Sequence, residues 1–264
     1  MIRIDSPDDG RLKAFRSVGE PDALVDMGVF VAEGRLVVRR LLQSRRLETR
    51  ALLVTEAALT SLQDLVAARP SLPVYLVSQA VMSGVTGFNF HRGCLALGVR
   101  PPARDWRDVA AHARRLVALE RVGNVDNVGG IFRNAAAFGV DGVLLQSDCA
   151  DPLYRKAIRT SMALTVPYAR VEGWPQALED LNRAGWATVA MTPAETAAPL
   201  RQVAEAIAGR PVVVVLGHEG DGLTTEALEA CSHRAHIPMA TGVDSLNVAT
   251  AAAVAMYELW GRTP

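Results

Sequence analysis

Short apolar runs alternate with amphipathic stretches along the whole chain. In the first part VFVAE, ALLVT, PVYLV and CLALGV (starting at 29, 51, 73 and 94) read as strands. Between them, 35–44 and 57–68 space their apolar residues as helices do, and a short helix precedes CLALGV. PPARDWRD (101–108) interrupts the pattern: two prolines end the strand and charges follow, as in a linker. The alternation then resumes with LVALERV, GVLLQ, WATVAM, PVVVVLG and RAHIPM as strands. Helices are predicted from about 128 to 138, near 152–161, 174–184 and 223–231, and from about 245 to 260. This order predicts an α/β protein with a mainly parallel sheet in each half, divided into domains at 1–105 and 106–264.

Composition narrows the class. Half of the 264 residues are hydrophobic and the formal net charge is zero, which excludes a disordered chain. No apolar run approaches the ~20 residues of a membrane span, and MIRIDSPDDGRLKAFRS has no apolar signal core. The expectation is a cytoplasmic protein with no membrane partner. Cys94, Cys149 and Cys231 are too few and too scattered for a disulfide framework and predict reduced thiols.

A pI near 7.0 excludes a globally basic nucleic-acid binder. The charge is unevenly placed, however. Residues 1–110 hold 15 Lys and Arg against 12 Asp and Glu, and residues 111–264 hold 13 against 16. The segment 35–50 carries Arg35, Arg39, Arg40, Arg45, Arg46 and Arg50 with only Glu48 opposing. Its Leu36, Val37, Val38, Leu41 and Leu42 are expected to turn inward and the arginines outward. A solvated helix face is the ordinary reading of such a run. A phosphate-binding face through Arg35, Arg39, Arg40 and Arg46 is the sharper one.

Common catalytic signatures are absent. There is no G-x-x-x-x-G-K-[ST], no G-x-G-x-x-G after a strand and no G-x-S-x-G. Cys231, His233 and His236 lack further ligands at suitable spacing, so no metal is expected. What remains is three glycine-punctuated loops, each leaving the C-terminal end of a predicted strand, the edge where open α/β sheets bind ligands. The first, LERVGNVDNVGGIFRNAAAFGV (119–140), offers Asn124, Asp126 and Asn127 as helix caps and puts Arg133 on the second turn. The second, VVVVLGHEGDGL (212–223), runs a buried strand into a turn centred on Glu219. In the third, HIPMATGVDSLNVATAAAVAMYEL (236–259), Ser245-Leu246-Asn247 enters an Ala-rich helix that permits close backbone approach. Taken singly, Arg133 is a solvated helix residue, Glu219 caps the following helix, and Ser245 and Asn247 are helix-entry polar groups.

Together the three loops resemble the SpoU/TrmH family of RNA ribose 2′-O-methyltransferases in the SPOUT superfamily. The resemblance is carried by Asn127 with Arg133-Asn134, by Leu216-Gly217-His218-Glu219-Gly220, and by Ile237-Pro238-Met239 with Ser245-Leu246-Asn247. CADPLYRKAIRTSMA (149–163) is also similar, and VFVAEGRLVVRRLL and FNFHRGCLALG resemble the family's accessory substrate-binding domain. The resemblance implies a C-terminal SPOUT domain with a deep trefoil knot beside a smaller N-terminal α/β domain that binds RNA. It implies S-adenosylmethionine as cofactor, a homodimer whose sites draw on both subunits, and rRNA or tRNA as substrate. Leu216, Gly217, Ile237, Met239 and Leu246 would touch the cofactor, Arg133 would be the catalytic arginine, and Asn127, Glu219, Ser245 and Asn247 would complete the site. His218 stands where the family often has a smaller residue and is given no role. A non-catalytic RNA-binding or assembly protein on the same fold is the alternative.

Overall fold

The computed structural model describes residues 1–162 and 165–261; Ala163, which ends the 149–163 stretch, lies outside them. The elements run β1 (Ile2–Arg3), α1 (Lys13–Arg16), α2 (Pro21–Asp26), β2 (Val29–Glu33), α3 (Arg35–Gln43), β3 (Thr49–Val54), α4 (Glu56–Thr60) and α5 (Gln63–Ala67). Then come β4 (Val74–Leu76), α6 (Gln79–Thr86), β5 (Cys94–Val99), α7 (Trp106–Ala110), β6 (Arg115–Leu119), α8 (Val125–Ala137), β7 (Gly142–Gln146) and α9 (Arg155–Ser161). The remainder is β8 (Tyr168–Val171), α10 (Gln176–Arg183), β9 (Ala187–Met191), β10 (Ala198–Pro199), α11 (Leu200–Ala206), β11 (Val212–Leu216), α12 (Thr225–Ala230), β12 (His233–His236) and α13 (Val248–Trp260).

Two compact units form. The first comprises Met1–Pro102 together with Pro152–Thr165, the second Ala103–Asp151 together with Val166–Pro264. The sequence reading kept 152–161 with the second half. Its helix α9 instead packs on β2 of the first unit. There Arg155 and Arg159 reach the carboxylate of Glu33, which is buried. Such a pairing spans more than a hundred residues of sequence and leaves no local trace.

The first unit holds a five-stranded sheet in the order β1-β4-β3-β5-β2 over a core that includes Phe15, Leu53, Met82 and Leu95. The expected parallel sheet is corrected here to a mixed one: β5 runs antiparallel to both β2 and β3. Periodicity reports which face of a strand is buried, not which end the chain enters. The predicted helix 57–68 is two short ones, α4 and α5, with Leu62 buried between them. Leu36 is also corrected: Val37, Val38, Leu41 and Leu42 fill the buried face of α3 and leave it exposed. Gly98 has no room for a side chain, because a Cβ there would stand 2.1 Å from the Phe30 ring.

The second unit holds a seven-stranded sheet in the order β10-β12-β9-β11-β6-β7-β8, parallel throughout. Its inner strands are buried on both faces, which is why VVVVL and LVAL read as continuous apolar runs. From β6 the chain builds outward through β7 and β8, then crosses to β9 and returns to lay β11 between β9 and β6. The order therefore reverses at the β6–β11 pair, the switch point at which parallel sheets open a crevice at their C-terminal edge. α7, β8, β10 and α11 were not anticipated from the sequence. β12 ends at His236, earlier than RAHIPM suggested, so Ile237, Pro238 and Met239 belong to the loop beyond it.

Candidate functional site

The three glycine-punctuated loops leave β6, β11 and β12 at that edge of the second unit, and caps decide how they meet. Asn124 starts α8, its Oδ1 accepting from the N–H groups of Asp126 (2.8 Å) and Asn127 (3.4 Å). This leaves the Asn127 side chain free. Its Nδ2 donates to Glu219 Oε1 at 2.9 Å, and the Asn124 N–H donates to the same oxygen at 3.1 Å. Asn247 starts α13, its Oδ1 accepting from Ala249 N (2.9 Å) and Thr250 N (3.3 Å). Its Nδ2 then donates to Asn127 Oδ1 at 2.9 Å.

The polarity of this chain is determined by the caps. Asn247 must turn its oxygen to the helix backbone, so its NH₂ faces Asn127; Asn127 must then accept with its oxygen and donate with its nitrogen, and Glu219 must accept. An ionised Glu219 meets that requirement. Partial burial pushes its carboxyl up, but the donor on Asn127, followed by the backbone N–H groups of Glu219, Asn124 and Gly123, pulls harder and holds it below the ordinary 4.5. A carboxyl lowered in the folded state adds stability above its unfolded value and loses it as pH falls through the folded one. The link between the loops is therefore expected to persist at and above pH 4.5 and to fail only below it. Asn127→Ala removes the strongest of the lowering contacts, so the Glu219 carboxyl is expected to titrate higher. A ¹³C chemical-shift titration of that carboxyl reads the change, and an unmoved midpoint would refute the role given to Asn127.

Of the five candidate catalytic residues, the structure thus joins Asn127, Glu219 and Asn247. Ser245 is exposed and is not the cap of α13. Glu219 is not the cap of the helix that follows it, since Thr224 fills that position by accepting from Ala227 N. Arg133 is exposed, roughly 9 Å further along α8 than Asn127 at 1.5 Å per residue. Among the described residues no hydrogen bond or ion pair holds it. Asn134, its neighbour, donates to Ala249 O at 2.9 Å and ties α8 to α13. Gly130 lets the two helices approach, a Cβ there standing 3.1 Å from the Cβ of Ala249.

The candidate cofactor residues lie on the same edge. Leu216 and Gly217 are buried at the end of β11, Ile237 and Met239 are half-buried beyond β12, and Leu246 is exposed before α13. Gly217 is obligatory where it stands: a Cβ would lie 2.3 Å from Gly222 C and 2.4 Å from Leu223 N. The loop it opens is closed by a reciprocal pair, His218 N–H to Gly222 O (3.1 Å) and Gly222 N–H to His218 O (3.0 Å). His218, given no role from the sequence, holds this loop from inside, Nδ1 accepting from Gly220 N and Asp221 N at 3.1 Å each.

Sequence reasoning also missed Glu120. It is buried at the end of β6 and accepts from Trp174 Nε1 (2.7 Å), Thr224 N (2.8 Å) and Thr224 Oγ1 (2.8 Å). It thereby anchors the exit of the Gly217 loop. A lone Glu after a strand carries no signal; only its three donors, drawn from distant segments, reveal it. Among the described residues no group of three or more His, Cys, Asp and Glu converges as metal ligands, and no helix is long and apolar enough to cross a membrane.

A parallel sheet with three loops interlocked by side-chain amides at its C-terminal edge places the protein among the open α/β folds that bind ligands there. Comparison with known proteins makes it particular. The family model described as the SpoU rRNA Methylase family matches residues 114–257. The chain is 44% identical to an uncharacterized tRNA/rRNA methyltransferase of Mycobacterium tuberculosis, over 97% of this chain and 90% of that one. It is 25% identical to the 23S rRNA (guanosine(2553)-2′-O)-methyltransferase of Bacillus subtilis, over 99% and 100%. An AdoMet-bound rRNA methyltransferase from Sinorhizobium meliloti superposes with a TM-score of 0.80 at 26% identity, covering 97% of this chain and 96% of that one. The chain belongs to the SpoU methylase family of RNA methyltransferases.

Proposed function

We propose that this protein transfers a methyl group from S-adenosylmethionine to a ribose 2′-hydroxyl of structured rRNA or tRNA. The observation that carries the reading is the Asn247–Asn127–Glu219 hydrogen-bond chain, which locks three loops from separate strands into one site. S-adenosylmethionine is the family's cofactor, and when bound it supplies a methyl group made electrophilic by its sulfonium. The residues suit it. Leu216, Ile237, Met239 and Leu246 offer apolar contact, and Gly217 sits where the backbone passes too closely for any side chain.

Asn127, Glu219 and Asn247 hold the loops in register, and Ser245 belongs to the same site through its place two residues before Asn247. Arg133 acts on the RNA. A 2′-hydroxyl is a poor nucleophile that must lose its proton as the methyl transfers. A free-base arginine at pH 7 would cost about 7–9 kcal/mol, at about 1.36 per pKa unit. Arg133 therefore stays charged, holding a phosphate and stabilising the developing alkoxide. Its exposed position leaves it open to RNA, and in this reading the protein is a homodimer whose sites draw on both copies. In this reading the C-terminal third is threaded as the family's trefoil knot, the first unit binds substrate RNA, and the enzyme works in the cytoplasm.

The test has two parts. Calorimetric titration with S-adenosylmethionine is expected to show saturable binding, and no heat at roughly 300 µM ligand would overturn the enzyme reading. Mapping 2′-O-methylated nucleotides in total RNA from cells with and without the gene is expected to reveal at least one position lost. An unchanged map would overturn the proposed reaction.

A further inference from the structure

The arginine face expected on α3 is only partly engaged: Arg35 and Arg40 stay exposed, whereas Arg39 and Arg46 have partners. Arg39 is occupied: Nη1 and Nη2 each donate to the Asp64 carboxylate at 2.8 Å, and Nη2 also donates to Ser61 O. Arg46 reaches Thr165 O at 3.4 Å. Positive charge also gathers at the end of β2, around Glu33. Its carboxylate, 4% exposed, meets Arg159 Nη1 at 2.8 Å, Arg155 Nη1 at 3.2 Å and Arg92 Nη1 at 3.5 Å. Arg155 and Arg159 are four residues apart on α9 and share a face. Arg92 comes from the loop before β5 and lies across Gly34, its Cδ 3.5 Å from where a Cβ would be.

One carboxylate cannot satisfy three guanidinium groups. Arg155 and Arg159 each give Glu33 one hydrogen bond of the five they can donate, and Arg92 stands at ion-pair distance. Their side chains are only partly covered, Arg92 being 49% exposed. Beside them stands Phe88, an exposed aromatic whose ring lies 5.5 Å from the Arg155 guanidinium and packs edge-on against Phe90. Residues 152–165 add Lys156 and contain no acid. A buried Glu that needed only neutralising would take one arginine. Three, fixed in position by a common anchor, repel one another until anions arrive, and their forks match phosphate oxygens.

We infer that Arg92, Arg155 and Arg159, arrayed by Glu33, dock the sugar–phosphate backbone of RNA, with Phe88 as a stacking surface for an unpaired base. This rests on the RNA-methyltransferase reading and names where the first unit grips the substrate. Charge complementarity selects a polyanion, and the aromatic ring selects one with exposed bases.

The test is equilibrium binding of the full chain to a labelled mixed-sequence RNA stem–loop of about 40 nucleotides, across about 50–300 mM KCl. Arg92→Gln and Arg155→Gln are each expected to flatten the slope of log K against log salt by about one and to weaken binding at every salt concentration. Arg201→Gln, on the exposed face of α11 in the second unit, is expected to change neither. Arg92 is half-exposed, and its loss leaves two arginines on Glu33, so that variant keeps the test valid should Arg155→Gln fail to fold. Unchanged slopes for Arg92→Gln overturn the inference. So does a variant that loses self-association in sedimentation while its RNA slope stays the same, since the face would then meet a second copy of this chain. Titration with S-adenosylmethionine separates the two readings. Its failure in the unsubstituted protein defeats the enzyme reading, whereas an intact cofactor response with unaltered salt slopes defeats only the docking face.

Discussion

Arg133→Ala is expected to lower methyl transfer by at least about 10²–10³-fold, the loss seen when a charge-stabilising donor leaves a reaction centre. Stability and S-adenosylmethionine affinity are expected to stay as they are. The side chain is exposed and holds nothing in the described structure, so no packing is lost. A fall in activity without a change in melting temperature therefore isolates a chemical role. Arg133→Lys sharpens the result. If a positive charge is what matters, the lysine variant retains part of the activity, and its rate falls rather than climbs as pH rises through a lysine pKa. A rate that climbs through such a pKa would show a titrating base and defeat the charged-arginine mechanism.

Gly217→Ala is expected to lower cofactor affinity by about 100-fold or more and to cost about 1–3 kcal/mol of stability, the range for forcing extra atoms into a packed site. The added Cβ would meet the backbone of Gly222 and Leu223 at 2.3–2.5 Å, and backbone cannot rotate aside as a side chain can. Relief requires breaking the His218–Gly222 pair that closes the loop. The shift carries Glu219, in the middle of that loop, away from Asn127. Calorimetry with the cofactor and urea unfolding measure the two effects separately. Normal affinity in the alanine variant would show that the loop adapts and that the close approach is not required for binding.

The sequence was most informative where burial is continuous. β11 and β6 could be read because strands covered on both faces must be apolar throughout. β8, with Arg170 exposed between two buried residues in a short span, gave no such run. The antiparallel placement of β5 was invisible, since strand direction follows from where the chain re-enters the sheet. At the site, residue types identified a cap near 124–127 but could not choose among three candidates. Asn124 fills that position, and so Asn127 is free to bridge. Glu120 and the Glu33 cluster escaped notice for a shared reason. A buried carboxylate is recognised by its partners, and those partners lie between about 50 and 130 residues away, where neither periodicity nor spacing reaches.

The segment Pro152–Thr165 has a consequence for how this protein can be taken apart. The chain passes from one unit to the other at 102–103, returns at 151–152 and leaves again at 165–166. The units are thus not beads on a string. A fragment cut at 105 carries α9 without the strand whose carboxylate its arginines hold, and the complementary fragment carries Glu33 with only Arg92 of its three partners. Swapping the first unit between relatives would have to transplant two separate stretches of sequence together. Joining the first unit end to end with another chain would leave behind the fourteen-residue stretch that completes it.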